Sequence, residues 1–523
     1  MDKDFLESIN QILQELALYG RNEDSTVRQL SDNYKKLSPE QRKYNIQKLT
    51  ELLKSNNNQI MFLMSIIFYR LPVKEVMEEI EYLLMDRRLS FWIRLNCMYQ
   101  LKYKAFRENI KFDNCIDDIT DYQRKRNIYK LISTEIQKNI RINEYIPIKK
   151  REKKIIIITS QLLSREHAPT RQALHICDYF EKLGYKVQFV VFDIKPNDIQ
   201  TMWMDCNILY NFTEDIGEFK YSIRDKIIDG YNLQIKNYDE LKEIQGVIDY
   251  IYDLKPEFVF EVGDMTLVGD ICNNFTDVVT MALTKNVPVS NSKFIARYFR
   301  YTEEENIEFI RKLSENQIVI DVPHVATNME VLNSKIVYSK EDLGIREDAF
   351  LIIISGNRLD VEITEEFLEV LYKIIKIGDN ISIMFIGKAE SIKVKIKNEL
   401  KNKFYFLGHV DHFLQAIAVG DLFLNPPRQG GGTGGLYAIK SEVPVITLDN
   451  CDVEAIVGKE FVCNSLEDMV NMVEKYYTDN EFMKKQKEIC RISSEQWFNC
   501  DSIGNFKHLI DVVHENTSEN DFI

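Results

Sequence analysis

The chain has 523 residues, 45% of them hydrophobic and 28% charged, with a formal net charge of −14, an ordinary composition for a globular protein of on the order of two to four domains. The acid excess excludes general nucleic-acid binding, which needs a basic face, and the longest apolar run, Ile60 to Tyr69, is too short to span a bilayer. Nine cysteines without a C-x-x-C pair argue against a metal site and a disulfide framework; with an amino terminus lacking an apolar signal core, they give a cytoplasmic protein with reduced thiols as the expectation.

Residues 1 to about 148 contain a single glycine, Gly20, and no strand-like alternation, which predicts an all-helical domain over 1–150. Ser38-Pro39-Glu40-Gln41 has the form of a helix start, with Ser as N-cap, Pro at the first position and Gln three residues after the cap. Leu49, Leu52 and Leu53 then share a face, and further helices are expected over 60–69, 73–85 and 89–103. No fixed period marks a repeat array. Three roles fit such a domain: a surface that recruits a protein, a site of homo-oligomerisation, or a brace on the rest of the chain. The charged run Lys149 to Lys154 is expected to be a solvated linker.

Ile155 to Ile158 has the profile of a buried parallel strand. A long loop, 159–170, leads to a helix predicted from Arg171 to Leu183 with Thr170 as N-cap, and Val187 to Phe192 forms the next strand. This is a Rossmann-like βαβ start, and long loops on such scaffolds are often functional. Arg165 and His167 lie in that loop. Phe258 to Phe260 is a strand ending in Glu261-Val262-Gly263-Asp264; carboxylates at a strand's carboxyl end lie at the ligand edge, which makes Glu261 and Asp264 candidates. Val278 to Leu283 and Val287 to Val289 are expected to form a helix–strand pair, and Gln317 to Asp321 a closing strand. These elements predict a first half-domain over 151–334 and a second over 335–523.

The second half opens with a strand at Phe350 to Ile354, followed by Ser355-Gly356-Asn357-Arg358-Leu359. Ile381 to Ile386 ends in Gly387-Lys388, and Phe404 to Leu407 ends in Gly408-His409-Val410. The most distinctive stretch is Asp421 to Asp452. Strand Leu422–Leu424 breaks at Asn425-Pro426-Pro427, passes Arg428-Gln429, and enters Gly430-Gly431-Gly432-Thr433-Gly434-Gly435. A helix from about Leu436 to Ser441 and a strand from Val445 to Leu448 follow, with Asp449 at its tip. A glycine turn before a helix amino terminus offers a close backbone approach and unpaired N–H groups, a seat for phosphate. The final helices, around Gln496 to Val513, are expected to pack back on the first half.

The glycine/threonine turn, helix and Val443-Pro444-Val445 strand entry resemble the donor-binding half of GT-B glycosyltransferases, closest to the O-linked N-acetylglucosamine transferases and the bacterial cytoplasmic glycosyltransferases of high-molecular-weight adhesins. The resemblance implies two facing Rossmann-like halves after an all-α domain, and metal-independent transfer from a nucleotide-sugar, a UDP-sugar by preference, to a protein or glycan acceptor, with no bound cofactor. It implies donor contacts at Gly356, Asn357, Arg358, Lys388, His409, Gln429, Gly431, Gly432, Thr433, Gly434, Tyr437 and Asp449. Arg358 and Lys388 would be the diphosphate cations, and His167 either a cleft base or an ordinary loop histidine. Arg165, Glu261 and Asp264 would lie on the acceptor side. Three departures stand out: Tyr437 replaces the usual acid, Glu442 the usual glycine before the strand, and Val361 to Thr364 holds no partner lysine. They keep open a different class, an inactive GT-B partner or chaperone subunit of an active transferase.

Overall fold

The computed structural model describes residues 2–19, 24–52, 80–107, 119–160, 162–163, 167–194, 217–223, 226–235, 241–325, 335–449 and 451–517. Helices Lys3–Tyr19, Asp24–Lys35, Pro39–Leu52, Phe91–Arg107 and Ile119–Gln137 come first. Ser38 and Gln41 exchange the two bonds of a capping box: Gln41 N–H donates to Ser38 Oγ at 3.3 Å and Ser38 N–H to Gln41 Oε1 at 2.9 Å. The helix expected over 60–69 lies outside the described residues, as does most of the one over 73–85. None of the described helices is long and apolar enough to cross a membrane.

Two sheets follow. The first has the order β3-β4-β2-β1-β5-β6-β7-β8, built from β1 (Glu152–Thr159), β2 (Lys186–Ile194), β3 (Gly217–Ile223), β4 (Lys226–Ile235), β5 (Pro256–Val262), β6 (Asp277–Met281), β7 (Phe294–Arg297) and β8 (Ile318–Asp321). All neighbours are parallel except the β3–β4 hairpin. The four isoleucines of β1 explain why. Ile155 and Ile157 join a core with Phe189, Phe258 and Phe260, whereas Ile156 and Ile158 join the opposite core with Val190 and Val259. A strand covered on both faces must be apolar at every position.

The opposite core is shared with the amino-terminal helices: Phe5, Trp92 and Tyr129 belong to the same cluster as Ile156. Tyr122 Oη donates to the Pro288 carbonyl at 2.8 Å and Tyr129 Oη to Asp270 at 2.6 Å. On the other face the last helix, Ser502–Asn516, packs Phe506, Leu509, Ile510 and Val513 beside Phe180 and Phe258.

The second sheet, order β11-β10-β9-β12-β13-β14, is wholly parallel. Its strands are β9 (Phe350–Gly356), β10 (Ile381–Gly387), β11 (Phe404–Gly408), β12 (Leu422–Leu424), β13 (Val445–Leu448) and β14 (Val462–Cys463). In each sheet the first strand lies between the second and a later one, β1 between β2 and β5, β9 between β10 and β12. Strand order reverses there, and loops diverge to leave a crevice.

Several expectations are corrected. Lys149 to Lys154 is solvated at Lys149, Lys150, Glu152 and Lys153 but is no linker: β1 begins at Glu152, and the Arg151 side chain is buried, its guanidinium 2.6 Å from Asp277 and 2.7 Å from the Glu257 carbonyl. Residues 277–281 form a strand rather than a helix, and the next strand is β7, not 287–289. The helix after β1 spans Ala168–Lys182, so its N-cap is His167 and not Thr170; a proline at position 169 suits a first turn.

Candidate functional site

The loops after β9 and β12 emerge side by side at the reversal point of the second sheet. Asn425 is buried just past β12, its N–H donating to Ile446 O at 2.8 Å and its amide to Thr447 Oγ1 at 3.1 Å. Arg428, only 5% exposed, donates through Nε to Asn425 Oδ1 at 2.8 Å and through Nη1 to Glu362 Oε2 at 2.7 Å. The other oxygen of Glu362 faces Arg358 Nη2 at 2.9 Å, and Arg358 also donates to the Gln429 carbonyl at 3.1 Å. Glu362 therefore bridges two arginines, one from each loop.

The glycine run divides into two jobs. Gly430 and Gly431 take φ of +86° each, and a Cβ on Gly431 would stand 2.7 Å from Arg428 Nη2, so the turn requires glycine there. The helix begins at Gly432, earlier than the sequence suggests, and runs to Lys440. Within it, Gly434 and Gly435 are packing residues: a Cβ would come to 3.0 Å from Phe423 and 2.9 Å from Val453. Gly434 N–H is used by Gly431 O at 2.9 Å, which leaves Gly432 and Thr433 as the N–H groups open to a ligand.

The first sheet reaches this seat directly. Arg171, 9% exposed on the Ala168–Lys182 helix, donates through Nη2 to Thr433 Oγ1 at 3.1 Å. The adjacent residue fixes the helix: Gln172 Nε2 lies 2.6 Å from His324 Nε2, and His324 Nδ1 lies 2.7 Å from Val322 O. The ring must therefore donate from Nδ1 and accept at Nε2, the neutral tautomer; burial accordingly lowers its pKa to about 4. A second crossing joins Lys285 N–H to Asp452 Oδ1 at 3.1 Å, with Lys285 Nζ 3.0 Å from Glu454 and 2.6 Å from Glu305. Burial raises the Asp452 carboxyl to about 6, opposed by Lys285, Arg358 and Arg428.

Of the residues singled out by sequence, Asn357, Arg358, Gln429 and Gly431 lie on these two loops, Gly356 ends β9, and Gly432, Thr433 and Gly434 open the helix after the second loop. Lys388 is exposed at the tip of β10, its N–H on the Gly356 carbonyl at 3.1 Å. Asp449 is exposed at the tip of β13. His167 is half-buried one turn before Arg171, with Nδ1 3.0 Å from Thr170 Oγ1; burial and then the Arg171 charge lower its pKa to about 4. Arg165 lies outside the described residues.

Four expectations are corrected. Tyr437 faces the core, 3% exposed with its ring 5.7 Å from Phe413. His409 is exposed just past the edge strand β11, two strands from the reversal point, 3.8 Å from Asp411. Glu261 is fully buried inside β5, accepting a bond from Thr280 against Gly269, where any Cβ would overlap its carboxyl. Burial and the neighbouring Asp270 raise its pKa well above the usual range. Asp264 is paired with Lys102 of the amino-terminal helices. The short Leu267–Cys272 helix, which shares an apolar cluster with those helices, covers the Glu261 carboxyl through Gly269.

No family model matches the chain, and no curated protein matches its sequence. Solved structures do. A mutant of the Thermobaculum terrenum O-GlcNAc transferase superposes with a TM-score of 0.52 at 12% identity, covering 98% of this chain and 98% of that one. A trehalose-6-phosphate synthase gives a TM-score of 0.51 at 8% identity over 70% of this chain and 99% of that one; the apo form of OtsA gives 0.50 at 8% over 70% and 100%. At such identities the fold alone is shared.

Proposed function

We propose that this GT-B-fold chain, whose likeness to the O-GlcNAc transferase structure extends over its amino-terminal helices, is a glycosyltransferase that moves a sugar from a nucleotide diphosphate to a hydroxyl or amide acceptor. The observation that carries the reading is the arginine–glutamate–arginine bridge set beside a glycine turn and an open helix amino terminus at a strand-order reversal. In this scheme the sequence divides as 1–150, 151–334 and 335–523, with the donor held by the last part.

Arg358 and the N–H groups of Gly432 and Thr433 stabilise the charge that grows on the leaving diphosphate, in place of a metal. Groups so preorganised supply a large share of catalysis, about 10²–10³ in rate per lost donor. Lys388, exposed at the neighbouring tip of β10, is a weaker, solvent-screened cation of the same site. Arg428 holds Glu362, and Glu362 fixes the angle of Arg358. His167, held neutral, accepts the acceptor's proton. A UDP-sugar is the first donor to test, and a protein, as for the O-linked and adhesin transferases that the turn resembles, the first acceptor.

Calorimetry with UDP, GDP and ADP, followed by turnover of the matching sugar conjugates, tests the reading. Binding of one diphosphate with slow hydrolysis of its conjugate is expected. Binding without turnover in the presence of candidate acceptors would favour the inactive-partner class, and no binding of any diphosphate would remove the donor seat.

A further inference from the structure

We propose that Arg171 is the cation that the first sheet contributes to the donor's diphosphate, so that the nucleotide is gripped across the cleft. The proposal rests on the donor-seat reading above for its ligand class and goes beyond it in assigning a phosphate contact to the opposite half.

The charge balance asks for such a group. Arg358 and Arg428 share one carboxylate, Glu362, and the Asp452 carboxyl acts on both, so the cations of the second sheet's loops are largely offset before the two negative charges of a nucleotide diphosphate sugar arrive. The partner lysine that would add a cation is absent from 361–364, where Val361, Glu362, Ile363 and Thr364 stand. Lys388 is exposed to solvent, where a charge is screened and an ammonium keeps its water.

Arg171 meets the need in three respects. It is nine-tenths buried, so its field is little screened. It is in place: Thr433, whose hydroxyl it binds at 3.1 Å, is the second residue of the seat helix. It is also held in register, because Gln172 is bonded to His324 and Tyr179 Oη to the Val325 carbonyl at 2.9 Å. A guanidinium binds phosphoryl oxygens through a flat fork of N–H donors, and the bond to Thr433 places that fork at the seat. The arginine sits after β1, at the reversal point of its own sheet, so the two crevices of the fold meet at one ligand.

The test titrates the full chain with UDP and with uridine at low and moderate salt, comparing wild type, Arg171→Gln and Arg171→Lys. Loss of a charged donor to phosphate should weaken UDP binding about tenfold or more in Arg171→Gln, leave uridine unchanged, and flatten the salt dependence. Arg171→Lys, which keeps the charge but loses the fork, should fall between the two, and it serves alone if the glutamine variant does not fold. Wild-type affinity for UDP in either variant, or equal losses for UDP and uridine, would overturn the assignment while leaving the donor seat standing. Failure of wild type to bind any nucleoside diphosphate would remove both.

Discussion

Arg171 and Thr433 stand 262 residues apart in the chain and 3.1 Å apart in space, one on the first helix of the first sheet, the other on the helix that follows the glycine turn of the second. Together with the Lys285–Asp452 bond, this contact fixes how closely the two crevices approach. Both crossings end on the residues that frame the seat, so binding there is coupled to the placement of the halves.

Arg358→Ala should weaken binding of UDP by about 1.5–3 kcal/mol, the usual range for a bond to a charged partner, and barely affect uridine. Isothermal titration of both ligands checks this. Equal losses would take Arg358 out of the phosphate role.

Glu362→Gln leaves a neutral amide between Arg358 and the buried Arg428, whose pair with Glu362 is 2.7 Å long. Breaking a buried ion pair at one end commonly costs about 3–5 kcal/mol. Urea denaturation should show a loss of that order; a change within 0.5 kcal/mol (roughly the scatter of surface substitutions) would mean that the bridge is not holding the loops.

Acidification should tighten the binding of a UDP-sugar. The Asp452 carboxyl titrates at about 6 in the folded protein, raised by burial from 3.8. As the pH falls through 6 its negative charge beside Arg358 and Arg428 disappears, and repulsion of the diphosphate with it. Affinity measured at pH 7.5 and 5.5 should rise in wild type and stay level in Asp452→Asn; a level profile in both removes Asp452 from the seat's electrostatics.

His324 and His167 act on stability in the opposite direction. Each folded pKa is lowered to about 4 from 6.5, so between those values the unfolded chain takes up protons that the folded one refuses. Stability is lost as the pH falls through that window, by up to about 1.4 kcal/mol per pH unit for each ring. The pH dependence of unfolding should be shallower in His324→Gln than in wild type; identical slopes would show that His324 is protonated in the folded protein.

Glu442 has φ of +55° at the end of the Gly432–Lys440 helix, with Val443 N–H closing on Ala438 O at 2.9 Å. A non-glycine residue in that region costs about 1–2 kcal/mol. Glu442→Gly should therefore raise the melting temperature or the urea midpoint, and a lowered midpoint would show that the side chain contributes more than the strain it causes.

The layered fold was legible because buried parallel strands must be apolar throughout, as at Ile155 to Ile158 and Phe350 to Ile354. The seat was legible through the glycines, and Glu442 through the absence of one. What stayed hidden depends on distance along the chain. Arg428 stands in the motif itself, yet only Glu362, 66 residues earlier, shows why it is buried. In Val361 to Thr364 the missing lysine is plain from the sequence, but the role of Glu362 depends on an arginine 66 residues later. Glu261 sat at a strand tip in the sequence, but its covering by the Leu267–Cys272 helix, on which the amino-terminal helices pack, has no local signal.

That covering has a mechanical consequence. The amino-terminal helices share one apolar cluster with Ile156, Ile158 and Val259; Tyr122 is bonded to the loop before β7 and Tyr129 to the Leu267–Cys272 helix. They are a fixed bracket, not a tethered arm. Cutting them away would bare the apolar cluster they share with the Leu241–Leu254 and Leu267–Cys272 helices, so a truncated chain would aggregate rather than report on the two sheets. Anything docked on them would be held at a set distance from the cleft, as by a ruler, and that distance would select which part of a long acceptor can reach it.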